Sequence, residues 1–192
     1  MNRLFRTLAL ALVTALALTA CGSENGTNDG SSSSGDAHGF NAADVSFAQS
    51  MIPHHQQAVQ MARMAKTHTS TSEVKALAQK IEADQGPEIA TMQGWLEDWG
   101  KGRSASESMG GMDHGDMKGM MSAGDMSKLR DAAGPSFDKM FLTMMIAHHR
   151  GAISMAKTEQ SAGKNRAATS LAEKIEAAQK TEIAQMEKML ES

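Results

Sequence analysis

Between residues 44 and 67 apolar side chains return every three or four positions: Phe47, Met51, Ala58, Met61 and Ala65, with His54 filling the gap in the stripe. That period places them on one face of an α-helix. A second stripe, Val74, Leu77, Ile81, Met92, Trp95 and Trp99, predicts a helix over 72–99. The pattern also predicts helices over 136–159 and 166–190. Period-two alternation is absent, so no sheet is expected. Asp44 is the expected N-cap of the first helix. Pro53, lacking an N–H, is expected to kink it.

The second pair of helices copies the first. Met51-Ile52-Pro53-His54-His55 returns as Met145-Ile146-Ala147-His148-His149, an offset of 94 residues. At that offset Asp44 and Phe47 match Asp138 and Phe141, and the stretch 77–92 matches 171–186 without a gap. Each half is one amphipathic helical hairpin, 40–99 and 134–192, joined by a connection over 100–133. Two hairpins that must bury their stripes predict an all-α four-helix bundle with approximate two-fold symmetry.

Polar residues interrupt every stripe at matching heights. They are His54 and His55, His148 and His149, Gln85 and Glu88, and Gln179 and Glu182. Adjacent helical residues point about 100° apart, so at most one imidazole of each pair looks straight into the core. Met51 and Met61 share a face with His54, as Met145 and Met155 do with His148. Polar groups in a core are costly unless partnered. Two readings follow: a metal centre of His and Met with Gln85, Glu88, Gln179 and Glu182 behind it, or a metal-free His–Gln–Glu network.

The connection is rich in Gly, Ser and Asp and is expected to form no packed element by itself. Yet it carries Met109, Met112, Met117, Met120, Met121 and Met126 together with His114. A Gly-rich loop has no core for methionine to fill. Thioether sulfur is a soft neutral ligand that prefers Cu(I) or Ag(I) to Mg, Ca or Zn. The cluster therefore reads as a second, looser soft-metal site, set against the alternative of a linker of biased composition or a loop that folds over the bundle and hides its methionines.

Ahead of the bundle, Arg3 and Arg6 precede an apolar run from Leu8 to Ala20, too short to span a bilayer but suited to a signal peptide over 1–20. Leu18-Thr19-Ala20-Cys21 resembles the lipobox of bacterial lipoproteins, in which the Cys is lipidated. Residues 21–39 then read as a flexible Gly/Ser linker. The expectation is an extracytoplasmic protein held to a membrane through lipid on Cys21.

Composition narrows the function classes. One Cys excludes a disulfide scaffold or a Cys-rich zinc site in a monomer. A net charge of -3 and no Tyr argue against a nucleic-acid partner. What remains conspicuous is 17 Met and 7 His.

The segments Met51-Ile52-Pro53-His54-His55, Ala58-x-x-Met61-Ala62, Gln85-x-x-Glu88-Ile89 and Met144-Met145-Ile146-Ala147-His148-His149 resemble the family catalogued as domain of unknown function 305, over about 40–191. The resemblance implies a ferritin-like four-helix bundle. Its CopM-like members are described as copper-binding, which implies copper, Cu(I) or Cu(II), as the ligand and silver as a surrogate. The motif positions carried over are Met51, His54, His55, Met61, Met145, His148, His149 and Met155.

The leading reading is thus a lipid-anchored copper-binding protein that captures, buffers or hands over Cu(I) or Ag(I), with a copper-delivery protein as partner. It is not expected to be an enzyme. Di-iron bundles use Glu-x-x-His, which is absent from the chain; a copper oxidase is the enzymatic alternative. A structural lipoprotein without metal is the other.

Overall fold

The computed structural model describes residues 39–102 and 117–191. The leader, Cys21, most of the linker, Met109, Met112 and His114 lie outside the described residues. Among those described, five helices and no strand occur: α1 (Ala42–His68), α2 (Ser72–Asp98), α3 (Ala123–Asp131), α4 (Gly134–Ala162) and α5 (Arg166–Glu191). The four long helices are those expected from the stripes, each bounded within a turn of its expected ends. α1 continues through Pro53.

Two local expectations are corrected. The N-cap of α1 is Asn41, not Asp44. Asn41 has extended backbone and its side-chain oxygen accepts from the N–H groups of Ala43 (2.8 Å) and Asp44 (3.1 Å). Asp44 is already helical, and its carboxylate accepts from the Asn41 N–H in return, which completes a capping box. Asn41→Ala should cost about 1 kcal/mol and lower the melting temperature by roughly 2–4 °C, read by circular dichroism.

The connection, expected to form no packed element by itself, also contributes a helix packed on the bundle. Ser122 caps α3 by accepting from the Asp125 N–H at 3.1 Å, and Lys128 and Arg130 lie in its last turn, where cations suit the helix dipole. Met126 and Leu129, three residues apart, bury one face. Nine residues are too few for a helix stable alone; packing makes this one.

α1 and α4 form the central pair, with α2 packed chiefly on α1 and α5 chiefly on α4. The central helices run antiparallel, tied at both ends by equivalent aspartates. Asp44 accepts from the Lys164 (3.1 Å) and Asn165 (2.9 Å) N–H groups in the α4–α5 turn. Asp138 accepts from the Ser70 N–H (3.2 Å), the Ser70 hydroxyl (2.6 Å) and the Thr69 hydroxyl in the α1–α2 turn. Each half therefore holds the turn of the other.

The apolar core falls into two layers. One gathers Ala58, Met61, Leu77, Ile81, Leu129, Phe137, Phe141, Met145 and Met186. The other gathers Phe47, Met51, Met92, Leu96, Ala152, Ala156, Ala172 and Ile175, flanked by Trp95 and Trp99. Each large side chain so buried contributes about 1.5–3 kcal/mol. Alanines at 48, 58, 62, 152 and 156 let the helix backbones approach closely. Along every long helix the residues between these layers are the polar ones.

Candidate metal centre

His54 and His148 lie ten residues along α1 and α4 from the two clasping aspartates, so the antiparallel crossing brings them face to face. Their ring centroids are 3.7 Å apart and their planes are tilted by 40°. The four histidines of the twin motifs are 0%, 0%, 1% and 0% exposed in chain order. Both members of each pair are thus buried, although they point in different directions.

The directions separate two roles. His55 reaches across the α1–α2 seam to the Glu88 carboxylate, with Nε2 at 2.8 Å. His149 reaches the Glu182 carboxylate across the α4–α5 seam at 2.7 Å. Lys80 of α2 adds a contact to Glu182 at 2.8 Å, linking the outer helices. Burial would raise the Glu182 carboxyl, but the bonds to His149 and Lys80 outweigh it and hold the pKa below the ordinary value. An anion therefore stands behind the His149 imidazole.

The inner pair has no such partners. Nδ1 and Nε2 of His54 and of His148 are all buried without a hydrogen bond. Desolvation, helped by neighbouring His55, pulls the His54 pKa down to about 3. His148 is held well below its ordinary value, again by desolvation first and then by its imidazole neighbours. The Lys118 backbone approaches the His54 ring and opposes the shift, without reaching hydrogen-bond geometry. Both inner rings are neutral at neutral pH, which is the ligating form of imidazole.

Buried polar atoms without partners are rare and call for an explanation. Here they sit between sulfur-bearing layers, with Met61 and Met145 on one side and Met51 and half-buried Met155 on the other. Two neutral imidazoles beside thioethers form a soft donor set suited to Cu(I) or Ag(I). Among the described residues, no group of three or more His, Cys, Asp or Glu is placed to hold a metal ion.

Residues 44–190 match the family described as Domain of unknown function (DUF305). The chain belongs to the DUF305 family. A candidate secreted DUF305 protein from Streptomyces coelicolor is 33% identical, with a TM-score of 0.70 over 77% of this chain and 90% of that one. A DUF305 fragment from Deinococcus radiodurans is 28% identical, with a TM-score of 0.69 over 78% and 96%. CopM in its Cu(II)-bound form is 33% identical, with a TM-score of 0.67 over 77% and 95%. CopM has also been solved in Cu(I)-bound and Ag-bound forms. No curated protein matches the chain. The DUF305 bundle expected from the twin His-His segments is the fold observed.

Of the remaining residues singled out in the sequence, Gln85 and Gln179 are buried in the polar layer with their amide oxygens unpartnered. Met117, Met120 and Met121 are half-buried on the stretch leading into α3. Met126 is not in an open connection: it sits on α3 within the apolar core, so its sulfur is placed as packing. The sequence reading missed Gln57, Lys118, Gly119 and Gly151, which seat that stretch beside the imidazoles. The one signal for them was the difference between Gln57 and Gly151, aligned two residues after the His-His pair in each repeat.

Proposed function

We propose that this DUF305 protein is an extracytoplasmic, lipid-anchored binder of Cu(I), with Ag(I) as a surrogate. His54 and His148 are its primary ligands, and Met51, Met61, Met145 and Met155, in the core layers flanking the pair, its thioether ligands. The observation that carries the proposal is the buried inner pair, whose four ring nitrogens have no partner. The copper- and silver-bound forms of CopM support the same ligand class. Neutral ligands bind without displacing protons in the neutral range, and the carboxylates of Glu88 and Glu182 offset a buried positive charge. The methionines of the connection would supply the looser second site, and a copper-delivery protein would exchange ions with it. Anchoring through Cys21 rests on the lipobox-like segment; among the described residues no helix is long and apolar enough to cross a membrane.

We assign a binding role rather than an oxidase role, supported by the copper- and silver-bound forms in which the related CopM has been solved. The contacts of His55 with Glu88 and of His149 with Glu182 support a positioning role for the outer imidazoles, whose Nδ1 atoms are also buried without a hydrogen bond. A thermal scan of the metal-free protein with Cu(I), Ag(I), Cu(II), Zn(II) and Fe(II) tests the proposal. Cu(I) and Ag(I) should raise the melting temperature most, since a ligand at a hundredfold excess over Kd adds about 2.7 kcal/mol. Flat curves with both soft ions would refute it.

A further inference from the structure

The inner imidazoles are buried, so an ion that reaches them must pass something that moves. Residues 117–121 lie across this part of the bundle, and the structure holds them there from both central helices. From α1, the Gln57 side chain grips the backbone of Met121 twice: its amide oxygen accepts from the Met121 N–H at 2.7 Å and its amide N–H donates to the Met121 carbonyl at 2.9 Å. Gln57 stands three residues after His54, on the next turn of the same helix.

From α4, the hold is one of space. A Cβ on Gly151 would lie 2.0 Å from the Lys118 carbonyl oxygen and 2.9 Å from the Gly119 Cα. A Cβ on Gly119 would lie 2.9 Å from the Ala147 carbonyl oxygen and 3.0 Å from that of His148, and its φ of +87° already favours glycine. Backbone therefore rests on backbone over the turn that carries His148, while Lys118 approaches the ring of His54. Neither contact tolerates a side chain.

Gln57 and Gly151 occupy the same position in the duplicated unit, at the offset of 94. One copy carries a side chain able to grip a backbone, and the other carries none and admits one. We infer that these two residues have diverged to seat residues 117–121 as a strap over the His54–His148 pair, and that releasing the strap gives a soft cation access to the imidazoles. Gln57 and Gly151 are positioning residues: they set how fast an ion enters and leaves, and the ligands set how tightly it is held. The inference deepens the Cu(I)/Ag(I) reading and rests on it for the identity of the ion, although the strap itself does not.

The test uses the full-length chain and its Gln57→Ala and Gly151→Ala variants, first without metal. Diethyl pyrocarbonate labelling of His54 and His148, followed by peptide mass spectrometry, should run about tenfold faster in each variant, the factor expected when neutral hydrogen bonds that close a segment are lost. Labelling of His68, which lies at the C-terminal end of α1, should not change. Ag(I) should then load the variants faster than the wild type, with unchanged stoichiometry. If both variants label His54 and His148 at the wild-type rate, the strap is refuted, whatever silver does; Gln57→Ala, which places nothing new in the bundle, keeps this outcome open should Gly151→Ala fold poorly. If labelling accelerates but silver fails to protect His54 and His148 in the wild type, the strap stands and the metal reading falls.

Discussion

Replacing His54 and His148 together by leucine should raise the melting temperature of the metal-free protein and abolish its stabilisation by Ag(I). Replacing a buried histidine by a hydrocarbon ordinarily removes hydrogen bonds, but here only the approaches of the Lys118 backbone to His54 and of the His54 backbone to His148 are lost, neither of hydrogen-bond geometry. An unsatisfied buried group costs about 1–3 kcal/mol, and apolar groups of similar shape recover that cost. A net gain of about 2–4 kcal/mol is expected, where 1 kcal/mol corresponds to roughly 2–4 °C for a chain of this size. The unpaired imidazoles thus lower the stability of the free protein and leave a donor set free for a ligand. Differential scanning calorimetry with and without Ag(I) reads both effects. A double variant that melts lower than the wild type and still responds to silver would show that the imidazoles belong to packing.

The second large effect is expected at alkaline pH and arises at the end of the central pair. Glu159 is 1% exposed, and neither carboxyl oxygen finds an N–H or O–H donor on another residue. It lies against Asp44, whose own oxygens accept from Asn41, Lys164 and Asn165. Burial first, and then the hydrogen bond and the charge of Asp44, push the Glu159 carboxyl up to about 8. For Asp44, burial would raise the pKa, but the bond from Glu159 and those from the backbone outweigh it and lower it. Glu159 is therefore the proton donor of the pair.

In the folded state Glu159 keeps its proton up to about pH 8, whereas in the unfolded chain it loses it near 4.5. Between these values the native state binds more protons, so stability falls as pH rises across the window and levels off above it. Asp44 acts the other way but only below its ordinary range, outside that window. Stability should fall by an amount on the order of 4 kcal/mol between about pH 4.5 and 8, and the melting temperature with it. Glu159→Gln, neutral at every pH and still able to donate to Asp44, should melt several degrees above the wild type at pH 9 and lose most of the slope. Parallel melting curves for the two proteins across that range would contradict the shared proton.

The four long helices were legible because their apolar stripes are long and regular, and because the same stripe is written twice. The twin His-His segments were legible as well, since polar residues at equal heights on every stripe stand out against hydrocarbon. What the period of the stripes could not show is which imidazole of each pair finds a carboxylate. That depends on helix rotation, which placed His55 and His149 at the seams with Glu88 and Glu182. The helix α3 was hidden by its Gly- and Met-rich surroundings, although Ser122 three residues before Asp125, with Met126 and Leu129 behind, is a capping signal followed by one apolar turn. Asp44 was misread as a cap because a short acidic residue at a helix start serves equally well as N-cap or as N3 of a capping box. The seat of residues 117–121 rests on contacts far apart in the chain, such as Gln57 with Met121. No local pattern encodes those.

The exchanged aspartates carry a consequence for the origin of the chain. Asp44 binds the turn of the second hairpin and Asp138 that of the first, which is the reciprocity of an isologous contact between identical subunits. A lone ancestral hairpin bearing this aspartate and its acceptor turn would have needed no new chemistry to pair with a copy of itself. Fusing two such copies would free positions such as 57 and 151 to differ, which a symmetric homodimer forbids.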